Sequence, residues 1–224
     1  MPRRSKEVPD QESENETGKT SKSTDKWQKL DAAQDWRQDG PFDIEEVDLD
    51  ADDIERLDFG SLIVTPFDDM AMQLQLDPET GEVQALLVID KQSAIEVALF
   101  AAPAAGSMLA EVRGEMRRST KLAGGTMTLV EGPFGTEVKR TFPMTTPEGA
   151  PANQPSRTWF VEGPKWLLRG VIFGQASQKS GPDDQLLLEF FCNLVVRRGV
   201  SPRVPGDLIP LEIPEIIEAE LTQK

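Results

Sequence analysis

Apolar and polar positions change their period along the chain, and the changes predict two blocks of strands, each followed by a helix. Over 70–76, Met70, Met72, Leu74 and Leu76 alternate with Ala71, Gln73 and Gln75, the period of two that a half-buried strand requires. Asp77, Pro78 and Gly81 then read as a hairpin turn. The stretches 83–89 and 94–100 are more uniformly apolar, as expected of central strands covered on both faces. Strand signals start earlier still, at 60–66. After Pro103 and Gly106 the period becomes helical over 107–121, with Ser107 as N-cap and a stop at Gly124 and Gly125. Met108, Leu109, Val112 and Met116 share one helix face, while Arg113, Arg117 and Lys121 share another, with cations in the last turn where the helix dipole favours them.

The second block opens with a hairpin of 126–131 and 136–142 around Gly132 and Gly135. The stretch 145–155, rich in Pro, Thr and Gly, reads as a surface loop. A third hairpin joins 158–162 to 165–173; a two-residue Gly163–Pro164 turn would set Trp159 opposite Leu168 and Val161 opposite Trp166. A polar loop over 175–181 leads to Asp183 or Asp184 as N-cap of a last helix, 185–198. That helix is apolar on most sides (Leu186, Leu187, Leu188, Phe190, Phe191, Leu194, Val195) and so must be buried, with Arg197, Arg198 and Gly199 as its basic end and C-cap. Pro202, Pro205, Pro210 and Pro214 keep the following chain extended up to a short amphipathic end at 215–221. The pattern is that of the α+β class: an antiparallel sheet of about 7–8 strands flanked by two main helices.

Charge divides the chain further. Residues 1–39 hold nine acidic and eight basic side chains among Ser, Thr, Gln and Gly, too little apolar surface to offset ordering, so a disordered tail is expected. Within it Trp27, Leu30, Ala33 and Trp36 recur at helical spacing, which fits either a short docking helix or an incidental nascent one. Residues 40–59 read as an acidic linker, 60–200 as one domain, and 201–224 as a Pro-rich extension. The stretch 40–69 carries eleven acids against Arg56 alone, whereas 111–179 has ten bases against six acids. Arg113, Arg117, Lys121, Lys139 and Arg140 are therefore the candidate interaction surface, and the acidic segment 43–58 is expected to lie over it, since opposite charges in one chain meet at high effective concentration.

Composition removes whole classes of chemistry. With no His and no Tyr, Ser-His-Asp and Cys-His catalysis, His-ligated zinc and a neutral-pH histidine switch are excluded. One cysteine, Cys192, within an apolar run, reads as an inert core thiol in a reducing compartment and removes thiolate zinc. Asp48, Asp50 and Asp52 imitate the start of a calcium loop, but Asp53 stands where Gly is needed and Phe59 where the bidentate Glu belongs, so a solvated acidic segment is expected. The glycines at 124, 125, 132 and 135 lack the Lys-Ser/Thr of a phosphate loop, and the Ser119/Lys121 and Ser177/Lys179 pairs are misplaced for a dyad. Paired carboxylates are too easily postulated among 39 acids to point anywhere. Trp159, Phe160 and Trp166 among basic residues raise nucleic-acid binding, against which the pI near 4.5 argues. No apolar run is long enough for a membrane helix, and the Arg3, Arg4, Lys6 start lacks a following apolar segment, so a cytoplasmic protein is expected.

The phrases RLDFGSL at 56–62 and RTWFVEGPKWLLRGVIFG at 157–174 resemble an uncharacterised actinobacterial domain-of-unknown-function family of small acidic proteins, over roughly 45–200. The strand order is similar to the helix-flanked sheets of Mog1/PsbP-like and secretion-chaperone-like domains, which implies a binding module. The expectation is a non-enzymatic binding or adaptor protein with a protein partner, no cofactor and no metal. The alternative is a small-ligand sensor or enzyme using carboxylate and Arg side chains in a pocket. Convergent Arg and acidic side chains in a cleft favour the latter; a broad exposed patch favours the former.

Overall fold

The computed structural model describes residues 25–68, 70–178 and 182–214. Its strands are β1 (Phe42–Asp43), β2 (Leu57–Asp58), β3 (Leu62–Val64), β4 (Ala71–Leu76), β5 (Val83–Asp90), β6 (Ser93–Ala101), β7 (Thr126–Gly132), β8 (Gly135–Thr145), β9 (Pro151–Gly163), β10 (Trp166–Gly174), β11 (Val195–Val196) and β12 (Leu208–Ile209). Its helices are α1 (Lys26–Asp31), α2 (Leu109–Leu122), α3 (Gln175–Gln178) and α4 (Pro182–Cys192). The large sheet is antiparallel throughout, in the order β4-β5-β6-β10-β9-β8-β7, with β12 as eighth strand on the β5 side of β6. A small sheet, β1-β11-β3-β2, contains one parallel pair, β1 with β11. The α+β class and the eight antiparallel strands are those the pattern predicts.

Strand alternation sorts the large sheet into two faces. Ile95, Val97, Leu99, Trp159, Val161, Trp166, Leu168 and Ile172 join the main core with Leu187, Phe190 and Phe191 of α4 and with Leu62 and Val64 of β3. Phe160, Leu167 and Val138 face the other way, with Leu109 of α2. Phe134 packs edge-on against Trp159 and Phe191 at 5.7 and 5.2 Å between centroids, a favoured aromatic geometry. Gly170 makes room for this cluster, since a Cβ there would meet the Phe191 ring at 2.8 Å.

The third hairpin turns one residue later than expected. Pro164 and Lys165 form the turn, Lys165 taking φ +62, so Trp166 pairs with Gly163, Val161 with Leu168 and Trp159 with Gly170. Size enforces this register, because the Trp166 ring lies where a Cβ at 163 would be, 2.0 Å from it. Of the expected loop over 145–155 only 146–150 is a turn; Thr145 and 151–155 belong to the far end of the β8–β9 ladder, with Thr145 opposite Pro151. The last helix ends at Cys192, and Val195 and Val196 form the central strand of the small sheet, where β-branched side chains pack well. Gln175–Gln178 in the expected polar loop is helical.

The chain outside 60–200 is also built into the body. Residues 40–59 supply β1 and β2 rather than a linker, and Asp43 is buried, accepting a 2.7 Å bond from Trp166 Nε1. Leu208–Ile209 pairs with β6, and Leu211 bridges to Val83, so the Pro-rich segment is part of the sheet as far as 214; the amphipathic end at 215–221 lies outside the described residues. The expected tail needs a similar correction from residue 25 onward. Half-buried Trp27, Leu30 and Trp36 bring α1 and the following turn against β8, where the Asp31 carboxylate accepts from Arg113 at 2.7 Å and from the Thr136 backbone N–H at 2.9 Å. The rest of that tail, 1–24, lies outside the described residues.

Leu187→Ala and Phe191→Ala are each expected to destabilise by about 2–5 kcal/mol, the range for emptying a core site, as read from denaturant melts. Asp31→Ala leaves the Arg113 guanidinium buried without its anion and should cost about 3–5 kcal/mol in the same measurement. A loss of under about 0.5 kcal/mol would mean that α1 is not docked through this pair.

Candidate functional site

The five basic residues singled out in the sequence do not form one surface. Arg113 is 5% exposed and committed to Asp31, while Arg117 and Lys121 point to solvent from α2. Lys139 and Arg140 are adjacent on β8 and therefore project to opposite faces of the sheet. Lys139 lies 3.9 Å from Glu137, and Arg140 lines the α2 side. Nor does the acidic segment lie over α2. Its carboxylates pair close by: Glu46 with Arg37, Asp52 with Arg56 at 2.8 Å, and Asp58 with Arg197 at 2.7 Å. Arg37 and Arg56 are near their acids in sequence and the small sheet brings Arg197 beside Asp58, whereas exposed ion pairs are too weak individually to draw the segment to a more distant helix.

Of the five, Arg140 leads to a site. Between α2 and the large sheet runs a cleft of about 340 Å³, lined by Phe100, Phe160, Leu167, Met108, Val112 and Met116. Arg140 and Arg169 line it too, and Glu115 stands at its α2 side. Residues 96, 98 and 100 of β6, 167 and 169 of β10, 158 and 160 of β9, and 138 and 140 of β8 share this face by parity. Arg169 donates to Glu96 at 2.9 Å and stacks over Phe100, 5.1 Å from its centroid; Arg140 stacks over Phe142 at 5.4 Å.

Four buried side-chain atoms among the described residues lack a hydrogen-bond partner, and all lie on α2 or on the sheet face that it covers: Thr120 Oγ1, Arg140 Nε, Thr158 Oγ1 and Arg169 Nε. Each such orphan costs roughly 1–3 kcal/mol unless something binds it. Burial, helped by repulsion from Arg169 and opposed by Glu96, lowers the Arg140 pKa, yet a guanidinium starts so high that it stays charged at neutral pH. Among the described residues Arg140 makes no ion pair.

Other charged clusters are closed by their own partners. Arg157 is buried and donates through Nε and Nη2 to the two oxygens of Glu137 at 2.9 and 2.8 Å, and through Nη1 to Asp184 at 2.5 Å and the Ala176 carbonyl at 3.0 Å. Trp159 Nε1 adds a 2.7 Å bond to Glu137. Burial pulls the Arg157 pKa down, but the bonds to Glu137 and Asp184 outweigh it and the value rises. Cavities of about 400 and 460 Å³ beside α1 and β2 hold the committed Asp31–Arg113, Arg56–Asp52 and Arg197–Asp58 pairs. Sequence reading missed Arg169 as a cleft residue and Glu96 as its partner. The signal was present in the alternation of β6 and β10, but which face α2 covers has no local signature.

With this geometry described, the chain can be placed among known proteins. Residues 40–220 match the family described as protein of unknown function (DUF3710). The chain belongs to that family, in keeping with the resemblance drawn from its motifs. No curated protein matches. Among solved structures, the solution structure of cyanobacterial PsbP (CyanoP) from Synechocystis sp. PCC 6803 is similar at 8% identity and a TM-score of 0.35, covering 63% of this chain and 91% of that one. So low a score defines no shared topology, and the fold class stands on the strand order itself. No helix among the described residues is long and apolar enough to cross a membrane.

Cys192 is the one thiol in the chain, and burial, with Asp39 and Glu189 nearby, pushes its pKa up to about 11. Raising the pKa removes thiolate at neutral pH, and thiolate is the nucleophile. Iodoacetamide should therefore label the folded protein about 100-fold more slowly than the urea-unfolded chain, as followed by mass spectrometry. Comparable rates would show that the thiol is open to solvent and not held in the core.

Proposed function

We propose that this protein is a non-enzymatic binding module that holds a small amphipathic anion in the cleft under α2. The observation that carries the reading is the pair of guanidiniums, Arg140 and Arg169, at a cleft lined mainly by apolar and aromatic side chains, with Glu115 and Ser119 on its α2 side. Few polar groups in an apolar cleft is the usual composition of a ligand site, with the polar groups orienting the ligand and the apolar lining taking its body. Met108 and Met116 suit a lining that adapts to its occupant. Nothing here needs a nucleophile or a general acid, and the arrangement supports capture of a ligand over its conversion. Ligand occupancy would be read out through α2, which is held on its other side by the Asp31–Arg113 pair.

Calorimetric titration of the full chain tests this, with 1-anilinonaphthalene-8-sulfonate, octanoate and octyl phosphate as probes. At least one is expected to bind at a single site with Kd below about 0.1 mM. Met116→Trp, which fills the cleft, should abolish that binding while leaving the melting temperature close to that of the parent. Absence of binding by all three probes, or binding that Met116→Trp leaves intact, overturns the proposal.

A further inference from the structure

We infer that β7 is a docking edge for a second copy of this chain, the two β7 strands pairing antiparallel about a two-fold axis at Leu129 so that the two large sheets continue into one. The inference stands apart from the cleft and its ligand.

The direction of the backbone groups follows from the hairpins. Gly132 and Gly135 close a two-residue turn and so form a hydrogen-bonded pair, and such pairs recur at every second residue of an antiparallel ladder. Thr126, Thr128 and Val130 therefore bond to β8, while the N–H and C=O groups of Met127, Leu129 and Glu131 point to the other side. Among the described residues no strand lies there. An open row of this kind is a template for another strand, and proteins that stay apart blunt it with prolines, lysines, bulges or short length.

This chain blunts its other edges. Beyond Thr126, β8 and β9 run on as a two-stranded arm, 142–145 against 151–154. At its tip the Thr146 N–H donates to the Ala150 carbonyl at 2.8 Å, which marks the even-numbered β8 residues as those bonded to β9. Pro143, Pro151 and Pro155 fall at the alternate positions, where the missing N–H is one that would face outward. At the far end of the large sheet, β4 is interrupted by a register shift between Gln75 and Leu76. In the small sheet the edge strands β1 and β2 have two residues each. By contrast β7 keeps seven residues in unbroken register, with no proline and no lysine.

Charge selects the occupant. The chain has a net charge of −15 and 28% of its residues are charged, yet among the 22 residues of 126–132 and 141–155 only Glu131 and Glu148 are. A side so poor in charge is where two copies of a strongly acidic protein can meet without opposing like charges, whereas a basic partner would find almost no anion on it. Pairing centred on Leu129 uses all seven residues and matches outward-pointing residues with outward-pointing ones. It sets Glu131 opposite Met127 of the second copy and Thr128 opposite its Val130, and it holds the two Glu131 side chains at opposite ends. A centre at Glu131 would instead face like charges. Met127 and Leu129, half-buried beside α2, continue the apolar face across the joint. Such a contact closes at two copies, while β7 pairing with β4 would grow without closing.

The experiment is sedimentation velocity of the full chain from about 1 to about 500 µM, at about 50 and about 500 mM NaCl. A monomer–dimer equilibrium is expected with Kd between about 1 and 100 µM, since one strand pair buries less than a standard interface. It should tighten at the higher salt, which screens the repulsion between two anions. Hydrogen exchange at the two ends of the concentration range should show the amides of Met127, Leu129 and Glu131 protected only in the dimer. Glu131→Pro removes an outward N–H at an exposed position without touching the β8 ladder, and should raise Kd at least about tenfold with the melting temperature close to the parent's. Leu129→Lys sets like charges face to face at the axis and should leave only monomer, while Leu76→Lys on β4 should change nothing. A monomer throughout the range overturns the inference. So does a dimer that neither β7 variant weakens, one that Leu76→Lys weakens, or association that grows beyond two copies. If Leu129→Lys does not fold, Glu131→Pro and the exchange pattern decide.

Discussion

A sheet of this width must be covered on both faces, and this chain has unequal means of doing so. On one side α4 and the small sheet supply Leu187, Phe190, Phe191, Leu62 and Val64 to a continuous core. On the other the described cover is α2, which at 14 residues is about 21 Å long, whereas the seven strands of the main ladder span about 29 Å at ~4.8 Å per step. The smaller core of Leu109, Val138, Phe160 and Leu167 marks where that helix sits. Glu96, Arg140 and Arg169 stand on the same face, and the cleft runs where helix and charged side chains meet. Its apolar lining and its cations both follow from a cover narrower than the sheet.

Two ways of handling buried charge occur in one molecule. Arg157 is surrounded by Glu137, Asp184, Trp159 and the Ala176 carbonyl, each oxygen with a donor, which is the condition under which a buried ion pair can be tolerated. Asp31 and Arg113 do the same between α1 and α2. Arg140 departs from the pattern, with its Nε out of water and unpaired among the described residues. Arg157 is thus partnered by the chain at Nε, Nη1 and Nη2, whereas Arg140 Nε is not partnered at all.

The segments before residue 60 and after residue 200 close the body. Phe42 and Asp43 pair beside Val195 and Val196, Arg37 stacks over Trp166, whose indole donates to Asp43, and Leu208 and Ile209 extend the sheet beside β6. Acidic composition says little about such roles. Asp43 is surrounded by acids in sequence, yet it is buried because Trp166, on a strand far along the chain, has an indole N–H to satisfy.

What could be read locally was read correctly in kind. The alternation of 70–76, the apolar runs at 83–89 and 94–100, the one-sided face of Met108, Leu109, Val112 and Met116, and the apolar stretch containing Leu187 and Phe191 each depend on neighbours within a few residues. They determined the strands, the two main helices and the α+β class. What failed depended on contacts between distant residues. Val195 and Val196 continue a helical apolar pattern but become a strand because β1 and β3 lie on either side of them. The turn at 164–165 is set by Trp166 lying over Gly163, and the prolines at 143, 151 and 155 lie within a ladder despite their composition. The candidate site divides the same way: sequence alone marked Arg140 as one of five similar cations, while its pairing with Arg169 against an apolar cleft arose only when β8, β9, β10 and β6 were laid side by side beneath α2. A period of two says which residues share a face, but only tertiary packing decides what that face meets.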